Sequence, residues 1–171
     1  MTELVPMISK VEIKKKIKDT AEKLDTDYRG TNPILMGVLK GSYIFLADLT
    51  RAMGIEHEID LIGASSYEGT ASTGKIEFTK EPELSVAKRH IILVEDIVDT
   101  GRTIVALKNH MENLEAESVK ICTLIDKHER RETRINVDYS CFTLEKGFIV
   151  GYGLDYNERF RYLPEIYDLK L

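Results

Sequence analysis

Residues 94 to 103 read Val94-Glu95-Asp96-Ile97-Val98-Asp99-Thr100-Gly101-Arg102-Thr103, an apolar run that passes into three carboxylates and then into small and hydroxylated residues. Ionised carboxylates next to an apolar segment are costly unless a partner takes up their charge. A polyol or a hydrated magnesium ion is such a partner for Glu95 and Asp96. Thr100, Gly101 and Thr103 suit a turn that opens a helix, where unpaired backbone N–H groups and the helix dipole favour a phosphate. Glycine lets the backbone approach the anion closely, and the threonine hydroxyls can donate to its oxygens. A plainer reading leaves Glu95 and Asp96 in solvent at a strand end and makes Asp99 a helix cap. Neither a Walker A pattern nor GxGxxG occurs, so triphosphatase and dinucleotide readings lack their usual signal. His57, His90, His110 and His128 form no metal-ligand spacing.

The flanking elements alternate between strand and helix. Ser9 followed by Glu12 is a capping box, with Ile8 and Ile13 placed as a hydrophobic staple, and Ile13, Ile17, Ala21 and Leu24 continue one apolar stripe. Lys14, Lys15, Lys16 and Lys18 fall largely on the opposite, solvated side. Ile34 to Leu39 reads as a buried strand; Ser42 can cap a second helix carrying Phe45, Leu46, Leu49 and Met53, and Gly54 suits the left-handed position after it. Ile55 to Ala64 is strand-like, and Ser65 to Gly74 reads as a mobile loop. Ile91 to Val94 is the clearest core strand, followed by a turn and a helix with Ile104, Leu107, Met111 and Leu114. Val119 to Ile125 and a shorter run from Phe148 to Tyr152 supply further strands, the order of a parallel α/β sheet, in which ligands bind beyond the carboxyl ends of the strands.

With 171 residues, 43% hydrophobic and 31% charged, the chain has the composition of a folded soluble protein, and residues 1–171 are expected to form one domain. The net charge of −5 gives no overall field to gather nucleic acid. No apolar stretch approaches the roughly 20 residues that span a bilayer, and the N-terminus lacks a signal pattern, so a cytoplasmic location without membrane contact is expected. Cys122 and Cys141 are too few for a disulfide framework or zinc site and read as buried thiols.

The 94–103 segment resembles the phosphoribosyl pyrophosphate (PRPP) signature of type I phosphoribosyltransferases. Leu39-Lys40-Gly41-Ser42, Ser66-Tyr67 and Gly151-Tyr152-Gly153-Leu154-Asp155-Tyr156-Asn157-Glu158, with Arg161 after it, are similar to the 6-oxopurine branch, the hypoxanthine and hypoxanthine-guanine enzymes. The likeness covers nearly the whole chain in order. Ser42 stands where many relatives carry a second glycine, and the loop after Tyr67 is not a close match.

The resemblance implies a mainly parallel central sheet flanked by helices, with a small hood built from N- and C-terminal segments. It implies transfer of the phosphoribosyl group from PRPP to hypoxanthine or guanine, giving IMP or GMP and pyrophosphate, with magnesium as cofactor. Glu95 and Asp96 would face the ribose hydroxyls and one metal, and Asp155 a second metal. Asp99, Thr100, Gly101, Arg102 and Thr103 would hold the 5-phosphate through backbone N–H groups and the two threonine hydroxyls, Lys40, Gly41 and Arg161 would serve the pyrophosphate, and Ser66 and Tyr67 would belong to a lid loop. Lys127 would donate to the exocyclic oxygen of the purine, Phe148 would stack on its ring, and Ile149 and Asp155 would offer backbone groups to its edge. Asp99 would act as general base near purine nitrogen 7. A homodimer or homotetramer is also implied. The competing reading is a PRPP-sensing regulatory or RNA-binding protein on the same fold, because a fold does not fix function.

Overall fold

A computed structural model describes residues 3–66 and 76–170. Strands β2 (Ile34–Leu39), β3 (Glu58–Ser66), β4 (Ile76–Lys80), β5 (His90–Val98), β6 (Ser118–Lys127) and β7 (Tyr139–Leu144) form one sheet in the order β4-β3-β2-β5-β6-β7. All its pairings are parallel except that of edge strand β4 with β3. Both faces are covered. Ile34, Met36, Val38, Ile91 and Leu93 pack with Ile104, Leu107 and Met111 of helix α3 (Arg102–Asn113). Leu35, Ile92, Val94 and Cys122 pack with Ile13, Ile17 and Leu24 of α1 (Lys10–Asp27) and with Phe45 and Leu49 of α2 (Tyr43–Ala52). Strands buried on both faces read as continuous apolar runs, which is why β2 and β5 stand out in the sequence.

The capping box at Ser9 and Glu12 forms, with Glu12 accepting the Ser9 N–H at 2.9 Å. Two expected helix ends do not form as read. Ser42 occupies the position before α2 but makes no cap; its buried hydroxyl donates instead to the Val38 carbonyl at 2.6 Å. Gly54 does not take the left-handed position, because Met53 leaves the helix in extended conformation and the Asp25 carboxylate receives the Gly54 N–H at 2.8 Å. Cys122 and Cys141 are buried free thiols, as expected.

The segment near Phe148 differs from the parallel-sheet reading. β8 (Ile149–Val150) belongs to a separate antiparallel sheet with β1 (Glu3–Ile8) and β9 (Ile166–Lys170), in the order β1-β9-β8. Glu3 pairs with Lys170 and Ile149 with Asp168, so remote parts of the chain build this hood together. The expected Ser65 to Gly74 loop lies largely outside the described residues, as does Tyr67; the Ser66 backbone ends β3. Among the described residues no helix is long and apolar enough to cross a membrane.

Candidate active site

The chain runs from β2 to β3 on one side of the sheet and returns to β5 on the other, so the carboxyl ends of β2 and β5 flank a topological switch point, where open α/β sheets bind ligands. Lys40 and Gly41 leave β2 there, Asp99 to Thr103 leave β5, and Lys127 ends β6. A cavity of about 270 Å³ lies between them, bordered by Gly41, the acidic pair, the turn after β5, Asp155 and Arg161.

Glu95 and Asp96 lie within β5 rather than beyond it, since the ladder with β6 continues through Glu95 opposite Thr123 and on to Val98 opposite Asp126. The two-residue alternation breaks at this pair: Ile92 and Val94 face the α1 and α2 side and so does Ile97, whereas Leu93 and Val98 face α3. Both acids are buried, at 8% and 9% exposure. Burial raises both carboxyls above the ordinary range, and the Asp96 charge adds to the rise of Glu95. The Asp96 carboxylate accepts the Ile97 N–H at 2.8 Å, and nearby Arg161 favours its charged form. Gly41 makes room for Asp96: a Cβ at Gly41 would overlap that carboxylate. The Leu39–Lys40 peptide bond is cis.

Beyond β5, Gly101 occupies the position before α3 with φ +84°, and a Cβ there would run into the Thr133 hydroxyl. Asp99 therefore does not cap the helix, and the plainer reading of that acid fails. Among the described residues its buried Oδ1 has no hydrogen-bond partner, while Oδ2 lies 3.9 Å from Lys127 Nζ and 3.8 Å from Arg130. Thr100 Oγ1 accepts the Arg102 N–H at 3.3 Å, and the Arg102 side chain turns outward to Glu132 at 2.5 Å. Lys127 is buried at 5% exposure, with Glu129 as a second carboxylate at 3.4 Å.

The hood closes the other side. Gly153 packs so closely against the Gly41 carbonyl that a Cβ at Gly153 would overlap that oxygen. Arg161 reaches back under this segment, donating to the Gly153 carbonyl at 2.6 Å and pairing with Asp155 at 2.9 Å; its buried Nε has no partner among the described residues. Phe148 is half exposed and meets Tyr156 edge-on at 5.5 Å, and Ile149 lies on the edge strand of the hood, which leaves one side of the β8 backbone unpaired within that sheet.

The structure thus brings Gly41, Glu95, Asp96, Asp99, Thr100, Gly101, Thr103, Asp155 and Arg161 around one cavity, with Lys127 beside Asp99. It sets Lys40 outward, paired with Glu158 at 2.7 Å. Two residues given no role by the sequence reading also emerge. Glu158 pairs with both Lys40 and Arg161, whose cations hold its carboxyl below the usual range. Arg131 donates inward to carbonyls at the ends of β5 and β6. Nothing in the local sequence separates Arg131 from its exposed neighbour Arg130.

Among the described residues no three His, Cys, Asp or Glu side chains converge into a ready cation cage. The donors still suit magnesium, which takes hard oxygen ligands, keeps several waters and is held by one or two carboxylates together with substrate phosphates. Glu95 and Asp96 would hold it from the strand, and Asp155 from the hood. Burial raises the carboxyls of this pair, and a cation between them would offset that cost.

A glycine turn opening a helix, a buried acid pair and an opposed arginine thus meet at the switch point of a parallel sheet. The sequence matches the phosphoribosyl transferase domain family over residues 8–157, and the chain belongs to that family. It is 46% identical to a hypoxanthine-guanine phosphoribosyltransferase of Streptococcus pneumoniae over 96% of this chain and 92% of the relative. The structure of a hypoxanthine-guanine phosphoribosyltransferase from Bacillus anthracis superposes with a TM-score of 0.92 at 36% identity over the full length of both chains. That of a hypoxanthine phosphoribosyltransferase from Staphylococcus aureus does so with a TM-score of 0.92 at 34% identity, over 96% of this chain and 90% of that one.

Proposed function

We propose that this chain is a purine-salvage enzyme that transfers the 5-phosphoribosyl group of PRPP to a 6-oxopurine, hypoxanthine or guanine, giving IMP or GMP and pyrophosphate. The observation that carries the reading is a pair of buried polar atoms at the rim of one cavity with no partner among the described residues, an acceptor on Asp99 and a donor on Arg161. The first is placed for a proton to be removed, the second for an anion to be held. The backbone from Thr100 to Thr103 takes the 5-phosphate, and Arg161, with Lys40 once it leaves Glu158, takes the pyrophosphate. Lys127 donates to the purine oxygen, a bond an amino group at that position could not accept. Phe148 and the free edge of β8 at Ile149 receive the base.

Nitrogen 9 of the purine attacks the anomeric carbon as the bond to pyrophosphate breaks, and the ring proton passes to the Asp99 carboxylate. Positive charge develops on the sugar in an oxocarbenium-like transition state, by analogy with glycoside chemistry. Glu95, Asp96 and Asp155 would hold magnesium, which would supply charge neutralisation for the leaving pyrophosphate. Glu95 and Asp96 hold the ribose hydroxyls, and Arg161 stabilises the departing oxygen. Family resemblance further supports a single domain over 1–171, a homodimer or homotetramer, and a cytoplasmic location.

The PRPP-sensing or RNA-binding alternative is not favoured, because the residues for the base and the leaving group accompany the phosphate turn. A product assay with PRPP, magnesium and each purine base in turn tests the proposal. IMP or GMP formation supports it; no nucleotide from any 6-oxopurine, with salt-dependent RNA binding instead, refutes it.

A further inference from the structure

We infer that Arg131 is a positioning residue: it locks the end of β5 to the end of β6 and so sets the spacing between the Asp99 carboxylate and the Lys127 ammonium. The inference rests on the proposed reading of the site, because it assigns those two groups to the base. The Arg131 side chain is only 18% exposed. Its Nε donates to the Asp99 carbonyl at 2.8 Å, and one terminal nitrogen donates to the carbonyls of Val98 and Lys127, both at 2.9 Å, and to the Asp126 carboxylate at 2.5 Å.

The placement matters because the ladder between the strands stops here. Val98 opposite Asp126 is the last β5–β6 pair, and Asp99 lies past it. Past it, the Arg131 side chain joins the Asp99 carbonyl to the Lys127 carbonyl at the end of β6. A planar guanidinium with donors in a fixed fork can bridge several acceptors at once, which an ammonium on a flexible stem cannot do in the same geometry. Asp126 neutralises the cation, so Arg131 is engaged by the protein rather than aimed at a substrate anion, unlike Arg161 with its free Nε.

The phosphate turn has its own anchor. The Thr100 carbonyl accepts from the N–H groups of Glu132 and Thr133 at 3.0 and 3.3 Å and from the Thr133 hydroxyl at 3.2 Å. Removing the Arg131 side chain leaves those three bonds in place. The damage should therefore fall on the base and on proton transfer, and much less on PRPP.

The test uses the full chain carrying Arg131→Ala, with folding checked by circular dichroism. A misplacement of about 1 Å at a reacting group costs on the order of 100-fold. That loss is expected in kcat/KM for hypoxanthine, with part of it in the hypoxanthine KM, while the PRPP dissociation constant stays within about threefold of wild type. Millimolar guanidinium restores much of the lost activity and methylammonium at equal concentration does not. Arg131→Lys, which keeps charge but not the fork, stays close to the alanine variant and carries the same comparison if the alanine variant fails to fold. A crystal structure of the variant reads the role without turnover: the Lys127 Nζ to Asp99 Oδ2 separation, 3.9 Å here, should change. An unchanged separation, an unchanged hypoxanthine KM and rate, or equal losses for PRPP and base would each overturn the inference. Wild-type protein that turns over no 6-oxopurine would instead refute the reading of the site, and the crystallographic comparison would still decide the role of Arg131.

Discussion

Asp99→Asn isolates the proton transfer, because the substitution keeps the shape of the side chain. Lys127 and Arg130 both lie near Oδ2, so the amide of an asparagine turns its oxygen toward the two cations and its NH₂ into the place of Oδ1. The acceptor that faces no protein partner becomes a donor, and nothing there can take a proton. Lys127 keeps Glu129 as a carboxylate neighbour at 3.4 Å, and Gly101 rather than residue 99 begins the helix, so the lysine and the phosphate turn stay in place. The substitution keeps the volume of the side chain and exchanges one unpartnered buried atom for another. General-base assistance is worth about 100- to 10,000-fold, or about 3 to 5 kcal/mol of barrier. The single-turnover rate with PRPP, magnesium and hypoxanthine should fall within that range, while PRPP affinity by calorimetry changes little. A single-turnover rate within a few-fold of wild type would refute the assignment of the base; PRPP binding that collapses along with the rate would make Asp99 a structural member of the turn.

Lys127→Gln removes a charge-assisted donor worth about 1.5 to 3 kcal/mol, so kcat/KM for 6-oxopurines should drop by about 10- to 150-fold with PRPP binding nearly unchanged; an unaltered preference over adenine would remove Lys127 from the base site. Excess EDTA should abolish turnover, with added magnesium restoring it, and full activity in the chelator would contradict the proposed cofactor. Because burial raises the Glu95 and Asp96 carboxyls, the folded chain holds protons that the unfolded chain has lost; the stability from this pair is complete below the unfolded carboxylate range and is lost as pH rises through the raised folded values. Glu95→Gln should therefore melt higher than metal-free wild type at about pH 8, by about 1–8 °C, with the gap closing toward about pH 4; a gap independent of pH would show that the pair does not titrate as described.

The local features strong enough to be read directly were those with a single physical cause. The Ser9 and Glu12 capping box and the apolar stripe of α1 need no distant partner, and the two-face burial of β2 and β5 announces itself as unbroken apolar runs. The length of β5 was not legible, because Glu95 opposite Thr123 and Ile97 opposite Ile125 carry the strand through the acid pair against its own propensity. Ser42 and Gly54 had the right residue types for caps but found other partners, Val38 and Asp25. The hood was hidden from periodicity because β1 leaves Val5 and Met7 exposed and its partner β9 lies at the far end of the chain. Arg131 and Arg130 are adjacent in a charged run, and only tertiary structure turns one inward and leaves the other 66% exposed.

The pairing of β1 with β9 has a consequence during synthesis. β1 is made well before β9 and does not gain that partner until residues up to Lys170 have been made, roughly ten to thirty seconds later at about 5–20 residues per second. The sheet that carries the phosphate turn is encoded entirely before β8, so it can assemble while the hood is still missing. A nascent chain would thus pass through a stage in which the sheet is formed while Ile8, buried in the finished molecule, still lacks its β9 partner Ile166 and lies open to chaperones or to other chains. Order of translation, rather than the final energy of the hood, then decides how long the molecule is vulnerable to aggregation.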